Sequence, residues 1–158
     1  MIIIAAKDQA QDQSFDQELS DRLSYSGPTN VVATYPGAKL AFAGYAAWRR
    51  EENGDANLSD ELVFVVRGGQ IRALDPRTDL ANHSPDGLSW GYRGSGCAQL
   101  ALALLMAIFN DWERVKPIYQ VFKDEFVSKI PQNTNWTADG VDLLLMALAI
   151  EKRHHHRR

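Results

Sequence analysis

The sequence has little cysteine, no long apolar run and no excess of basic charge, and each shortage excludes a class of protein. The single cysteine, Cys97, excludes an intramolecular disulfide and a cysteine-rich zinc site. The longest apolar run, residues 100–109, has about half the length that a membrane-spanning helix needs. The apolar start at residues 1–6 lacks the basic flank of a secretory signal. We therefore expect a cytoplasmic protein without a membrane segment.

Acidic residues slightly outnumber basic ones, 20 to 17, which excludes a strongly basic nucleic-acid binder. The charge is uneven: residues 1–62 hold 10 acidic and 5 basic side chains, whereas residues 63–158 hold 10 acidic and 12 basic ones. With 158 residues, 45% of them hydrophobic, the chain is long enough to bury its own core without a metal or a disulfide. We predict three parts: an N-terminal β-α-β-like extension over residues 1–38, an α+β domain over 39–150, and a basic tail over 151–158.

The extension begins with a short apolar strand at residues 2–6. Phe15, Leu19 and Leu23 recur every four residues and therefore lie on one face of a predicted helix. A second strand is predicted over residues 31–35, before Pro36 and Gly37.

In the next segments of the chain, apolar side chains alternate with others as they do in β-strands. Residues 39–50 predict a strand, although their alanines would also suit a helix. Residues 62–67 and 70–74 are joined by Gly68 and Gly69, which indicates a hairpin with a type I′ turn.

The C-terminal third predicts three helices. The first covers about residues 96–109 with Ser95 as its N-cap, and it is apolar almost all round, as expected of a central buried helix. A capping box formed by Asn110 and Glu113 starts a second helix to about residue 129, with Pro117 as a kink. Thr137 is predicted to cap a third helix to about residue 149, whose inward face is Val141, Leu144, Leu145 and Leu148. The fold class that follows is α+β, a small antiparallel sheet packed against a C-terminal three-helix layer.

A stretch of about 20 residues without a regular period, from Asp75 to Gly96, separates the hairpin from the buried helix. A connection of that length in a small domain is usually functional or disordered, and its aromatic residues argue against disorder. Three runs in and after it are distinctive: Asn82-His83-Ser84-Pro85-Asp86-Gly87, Trp90-Gly91-Tyr92-Arg93-Gly94-Ser95-Gly96, and Ala98-Gln99-Leu100-Ala101.

These runs resemble the signature of a small uncharacterised family, a domain of unknown function found in bacteria, archaea, phages and plasmids. The resemblance covers roughly residues 40–145 and includes Phe42-Ala43-Gly44-Tyr45, Ile118 to Lys123 and Trp136-Thr137. This chain departs from the family pattern at Cys97, where members typically have proline. The resemblance implies no activity, but the family's frequent place on mobile elements implies an accessory protein.

The loop suggests an anion site, because free N–H groups and the dipole of a helix N-terminus attract negative charge. The candidate ligand-binding residues are Arg77, Asn82, His83, Trp90, Tyr92, Arg93, Gly94, Ser95 and Gly96. Known phosphate, dinucleotide and esterase fingerprints do not fit this run. The alternative is structural: the glycines allow a tight turn into a buried helix, and the aromatic rings anchor the core.

Acid–base or metal chemistry is a minor hypothesis for the same loop. His83 lies near Asp75, Asp79 and Asp86 in sequence, but these residues also occur as turn-formers. Cys97 at a helix start could be a nucleophile, and a packing role is the competing interpretation. The residues 154–156, all histidine, belong to the basic tail.

Small size, acidic balance and the lack of a catalytic motif favour a non-enzymatic binding protein, and the family resemblance implies an accessory protein of a phage or mobile element. Its expected partner is a host defence protein or a nucleic-acid complex that it inhibits by binding. The alternatives are a protein that binds a nucleotide or other anion at residues 90–96, and an enzyme using His83 with neighbouring carboxylates. No cofactor is expected.

Overall fold

The described residues of the computed structural model, 3–4, 36–49 and 58–156, form an antiparallel sheet covered by helices. The strands are β1 (Ile3–Ile4), β2 (Leu40–Arg49), β3 (Leu58–Arg67), β4 (Gln70–Ala73) and β5 (Trp136–Asp139), in the order β1-β5-β2-β3-β4. The predicted helix through Phe15 and the predicted strand at residues 31–35 lie outside the described residues. Of the first predicted strand, the described part is β1, which pairs with β5.

The strand predicted after residue 38 and the glycine hairpin are both confirmed. Antiparallel β2 and β3 pair over their whole length, from Leu40 opposite Arg67 to Arg49 opposite Leu58. Gly68 and Gly69 have φ angles of 56° and 78°, the positive values that a type I′ turn requires at both central positions. This hairpin leaves β4 at the edge of the sheet.

The prediction that Thr137 caps a helix is wrong, because residues 136–139 form strand β5 between β1 and β2. The extended backbone carries Trp136 and Ala138 to the helix side of the sheet, opposite Gly44 and Phe42. The helix begins after the strand: the Asp139 side chain accepts a hydrogen bond of 2.7 Å from the N–H of Val141. A carboxylate at this position satisfies an otherwise unpaired donor of the first helical turn.

The central helix α1 (Ser95–Phe109) is confirmed, and its apolar sequence is explained by burial on nearly every side. Ser95 is the first helical residue rather than the N-cap; the N-cap is Gly94, which offers no side-chain acceptor. Asn110, predicted to start the next helix, instead ends α1 in the left-handed conformation with φ of 49°. Asparagine tolerates that conformation at a helix C-terminus.

The predicted second helix is broken into short pieces around Pro117. These are α2 (Trp112–Val115), α3 (Tyr119–Glu125) and a 3₁₀ turn (Val127–Lys129). Asp111 caps α2 by accepting from the N–H of Arg114, so the predicted cap is wrong by one residue. The break follows from proline, which has no backbone donor for the i−4 carbonyl.

The last helix, α4 (Gly140–His155), packs on α1 and α3. Val141 and Leu144 are buried as predicted, but Leu145 is half-exposed and Leu143 is fully buried. None of the helices described here is both long and apolar enough to cross a membrane. The fold class is α+β, with a small antiparallel sheet against C-terminal helices and α1 at the centre.

Candidate functional site

The long loop before α1 is held in place by one buried side chain, Gln99, in the second turn of that helix. Its Oε1 atom accepts the backbone N–H of His83 at 2.8 Å, and its Nε2 donates to the carbonyls of Pro76 and Ala81. Three backbone groups of the loop are thus paired inside the protein instead of with water. The sequence hypothesis did not include Gln99, although an amide in an apolar helix indicates a buried group that needs partners.

His83 connects the loop to α3 and does not face an acidic cluster. Its Nε2 atom lies 2.9 Å from the hydroxyl of Tyr119, and the two rings lie 5.6 Å apart. Tyr119 in turn packs against Trp112. In the part of the chain that the structure describes, no group of three or more His, Cys, Asp or Glu side chains is arranged to hold a metal.

Arg77 and its two neighbouring aspartates form a self-contained turn. Asp75 accepts the backbone N–H of Arg77 at 2.9 Å, and the guanidinium donates to both oxygens of Asp79 at 2.9 and 3.1 Å. The hydrogen bond from Arg77 holds the pKa of the Asp79 carboxyl below its ordinary value. Arg77 has a left-handed backbone with φ of 54°, which these contacts stabilise.

Trp90 is fully buried and belongs to an aromatic cluster rather than to an open surface. Its ring meets Trp136 edge to face, with centroids 5.8 Å apart, and Trp136 meets Phe126 in the same way at 6.2 Å. Such perpendicular pairs are favourable because a ring edge is positive and a ring face negative. Trp90 therefore cannot stack on a ligand without leaving the core.

The glycines before and in the first turn of α1 lie in close contact with neighbouring residues. A Cβ atom on Gly94 would overlap the ring of Tyr92. Gly91, with φ of 86°, lies against the backbone of Ile130 and Gln132, and its N–H donates to the carbonyl of Val127 at 3.0 Å. Ser95 and Asn82 face the solvent, and Gly96 is buried. The run that resembles a ligand loop thus builds the start of α1.

Tyr92 and Arg93 are the exposed aromatic and the exposed cationic residue among the candidates of the loop. The Tyr92 side chain is 41% exposed, and the Arg93 guanidinium, 76% exposed, lies 3.8 Å from Asp124. The nine candidate residues are therefore divided among the core, the loop's internal turns and the solvent. Of the nine, Arg77 alone lines the cleft described below.

Cys97 is fully buried at the start of α1, and burial raises the pKa of its thiol above the ordinary value, with the Glu61 carboxylate nearby acting in the same direction. A thiol reacts as its thiolate, which must also be reached by the reagent.

We therefore expect Cys97 to resist alkylation by iodoacetamide in the folded protein and to react once the protein is unfolded by guanidinium. Intact mass spectrometry over time measures both rates, and the unfolded sample is the control. Equal rates in the two samples would contradict the burial of this thiol.

A second feature, which the sequence hypothesis missed, is a cleft of about 940 Å³ between the β3–β4 hairpin and the C-terminal half of α1. Its apolar floor includes Val65, Met106 and Ala107, and its rim includes the cations Lys39, Arg67 and Arg72 and the carboxylate Asp75. Of the loop candidates, Arg77 lines this cleft. We call this feature the cationic cleft.

The two rim arginines share one face of the sheet. Directly opposed strand residues point to the same side, so the pairing of Val65 with Arg72 and of Leu40 with Arg67 places both arginines on the helix side. Arg72 donates to the Gln70 amide oxygen at 3.0 Å. Within the described ranges, no carboxylate forms an ion pair with Lys39, Arg67 or Arg72.

Sequence comparison assigns the chain to a family. The model described as "Family of unknown function (DUF6166)" matches residues 48–147. This match spans more than half of the chain, and the protein belongs to that family. Comparisons with curated proteins and with solved structures return no match.

Proposed function

We propose that this protein is a non-enzymatic accessory protein of the cytoplasm that acts by binding a macromolecular partner through the cationic cleft. The observation that carries the proposal is the row of cations above an apolar floor, none of which forms an ion pair with a carboxylate of the described residues. The carboxylate that lines the cleft, Asp75, accepts the backbone N–H of Arg77. Uncompensated like charges cost free energy in the free protein. An anionic partner removes that cost when it binds.

The structural roles of the long loop support the same proposal. Gln99 and Trp90 are buried and stabilise the fold, and His83 is hydrogen-bonded to Tyr119. These contacts account for the residues of the loop without assigning them a catalytic role. Inhibition of a host defence system on behalf of a phage or mobile element is the setting that the family resemblance suggests. It is part of this proposal and depends on the identity of the partner.

The proposal is tested by affinity purification of the tagged full-length protein from cells that naturally carry it, with and without nuclease. We expect one stoichiometric partner, whose recovery falls about tenfold for the double variant Arg67→Gln/Arg72→Gln. The matched control is Arg93→Gln, which removes the same type of charge at the opposite end of α1.

Two results would contradict the proposal. One is the absence of any partner at every salt concentration. The other is loss of the partner from Arg93→Gln and not from the cleft variant, which would favour an anion site at residues 90–96.

A further inference from the structure

The rim cations lie in a short row across neighbouring strands. Lys39 immediately precedes β2, Arg67 ends β3, and Arg72 lies on β4 diagonally across from Arg67. Because neighbouring strands are about 4.8 Å apart, the row spans roughly 10–15 Å. Backbone positions at that spacing suit a chain with several anionic groups.

The floor of the cleft is shaped by one stripe of α1. Ala103, Met106, Ala107 and Asn110 occupy positions i, i+3, i+4 and i+7, which lie on the same helix face. The two alanines leave space beside Met106, whose flexible side chain adapts to different apolar shapes. Val65 of the sheet completes the floor. An apolar side chain of a partner would therefore be removed from water between β3 and α1.

The same lining disfavours a nucleic acid. Single strands are bound by aromatic rings that stack on bases. The aromatic ring of the cleft is Phe109, and the guanidinium of Arg114 already lies 4.4 Å from its centroid. Arg114 is held there by Glu151 through hydrogen bonds of 3.0 and 2.8 Å.

Building on the binding function proposed above, we infer that the cationic cleft recognises an acidic segment of a partner protein, with an apolar side chain on the floor and carboxylates at Arg67 and Arg72. Lys39 follows Gly37 by two residues, and Gly37 lies against the carbonyl of Ile108 near the negative C-terminal end of α1, where a change of charge would also act on the helix. The two arginines are therefore the residues to change.

The test is a titration of the purified full-length protein, followed by NMR amide shifts and by fluorescence anisotropy. The probes are a synthetic peptide of leucine, phenylalanine and glutamate, the same peptide with lysine for glutamate, a single-stranded oligothymidine and inorganic phosphate. We expect shifts at the cleft with the acidic peptide, and affinity weaker by about tenfold or more for the other probes.

Two variants test separately what the rim charges and what the apolar floor contribute to binding. Arg67→Gln/Arg72→Gln should keep the thermal midpoint of the protein, because it removes unpaired like charges. It should weaken the binding of the acidic peptide about tenfold. Ala107→Leu should fill the apolar floor of the cleft. It should weaken the binding of the acidic peptide without changing the affinity for phosphate. Arg93→Gln should behave as the unmodified protein.

Stronger binding of the oligonucleotide, absence of peptide binding, or shifts that lie outside the cleft would each overturn the inference. If a stoichiometric partner were still purified from cells through the cleft, the proposed function would stand and only the acidic-segment assignment would fail. If neither the partner nor the peptide bound, both would fail.

Discussion

Replacement of Gly44 by alanine is expected to lower the free energy of unfolding by about 3 kcal/mol. A Cβ atom at this position would overlap the Trp136 indole at Nε1 and Cε2, and Trp136 is fully buried. The ring cannot move aside freely, because Trp90 and Phe126 pack against it edge to face. Protein interiors are packed too closely to absorb such a methyl group without displacing neighbours. Chemical denaturation followed by tryptophan fluorescence measures the loss.

A double-mutant cycle with Trp136→Phe provides the control for Gly44→Ala. No described residue accepts a hydrogen bond from the indole Nε1 of Trp136, so phenylalanine removes ring atoms without removing such a bond. The smaller ring leaves room for the new methyl group, and we expect Gly44→Ala to cost about 1 kcal/mol less in the Trp136→Phe background than with the indole present. Strictly additive costs would show that the clash with Trp136 is not the cause.

Replacement of Gln99 by leucine is expected to cost about 3 kcal/mol and to loosen the loop that precedes α1. The side chain is fully buried and pairs with the N–H of His83 and with two loop carbonyls. Each backbone group left without a partner costs about 1–3 kcal/mol if it stays buried. The loop reduces this cost by moving toward water, while the buried leucine contributes some hydrophobic stabilisation.

Hydrogen exchange at the His83 amide measures the change in the loop directly. We expect faster exchange in Gln99→Leu, together with a lower midpoint of chemical denaturation. The matched control is Gln120→Leu on the exposed side of α3, which should change stability by less than about 0.5 kcal/mol. Unchanged protection of His83 in Gln99→Leu would mean that the loop does not depend on this amide.

Local patterns predicted much of the fold because they depend on residues close in sequence. The paired glycines at 68 and 69 specify the hairpin through their φ angles, and the apolar run at 100–109 indicates a helix buried on all sides. The same reasoning failed at Thr137. A threonine before apolar residues is a common helix start, but pairing with β2 and burial of Trp136 make the segment a strand. Tertiary packing overrode the local preference.

The candidate site also divides into features that local sequence predicted and features that tertiary contacts decided. The sequence alone determined the α+β class, the hairpin, the central helix and the importance of the loop between them. Only the tertiary structure decided that Gln99 holds that loop, that Trp90 lies in the core, and that Lys39, Arg67 and Arg72 form one cationic row. Turns and periodic helices are set by neighbours along the chain, whereas strand pairing and burial join residues that are distant in sequence.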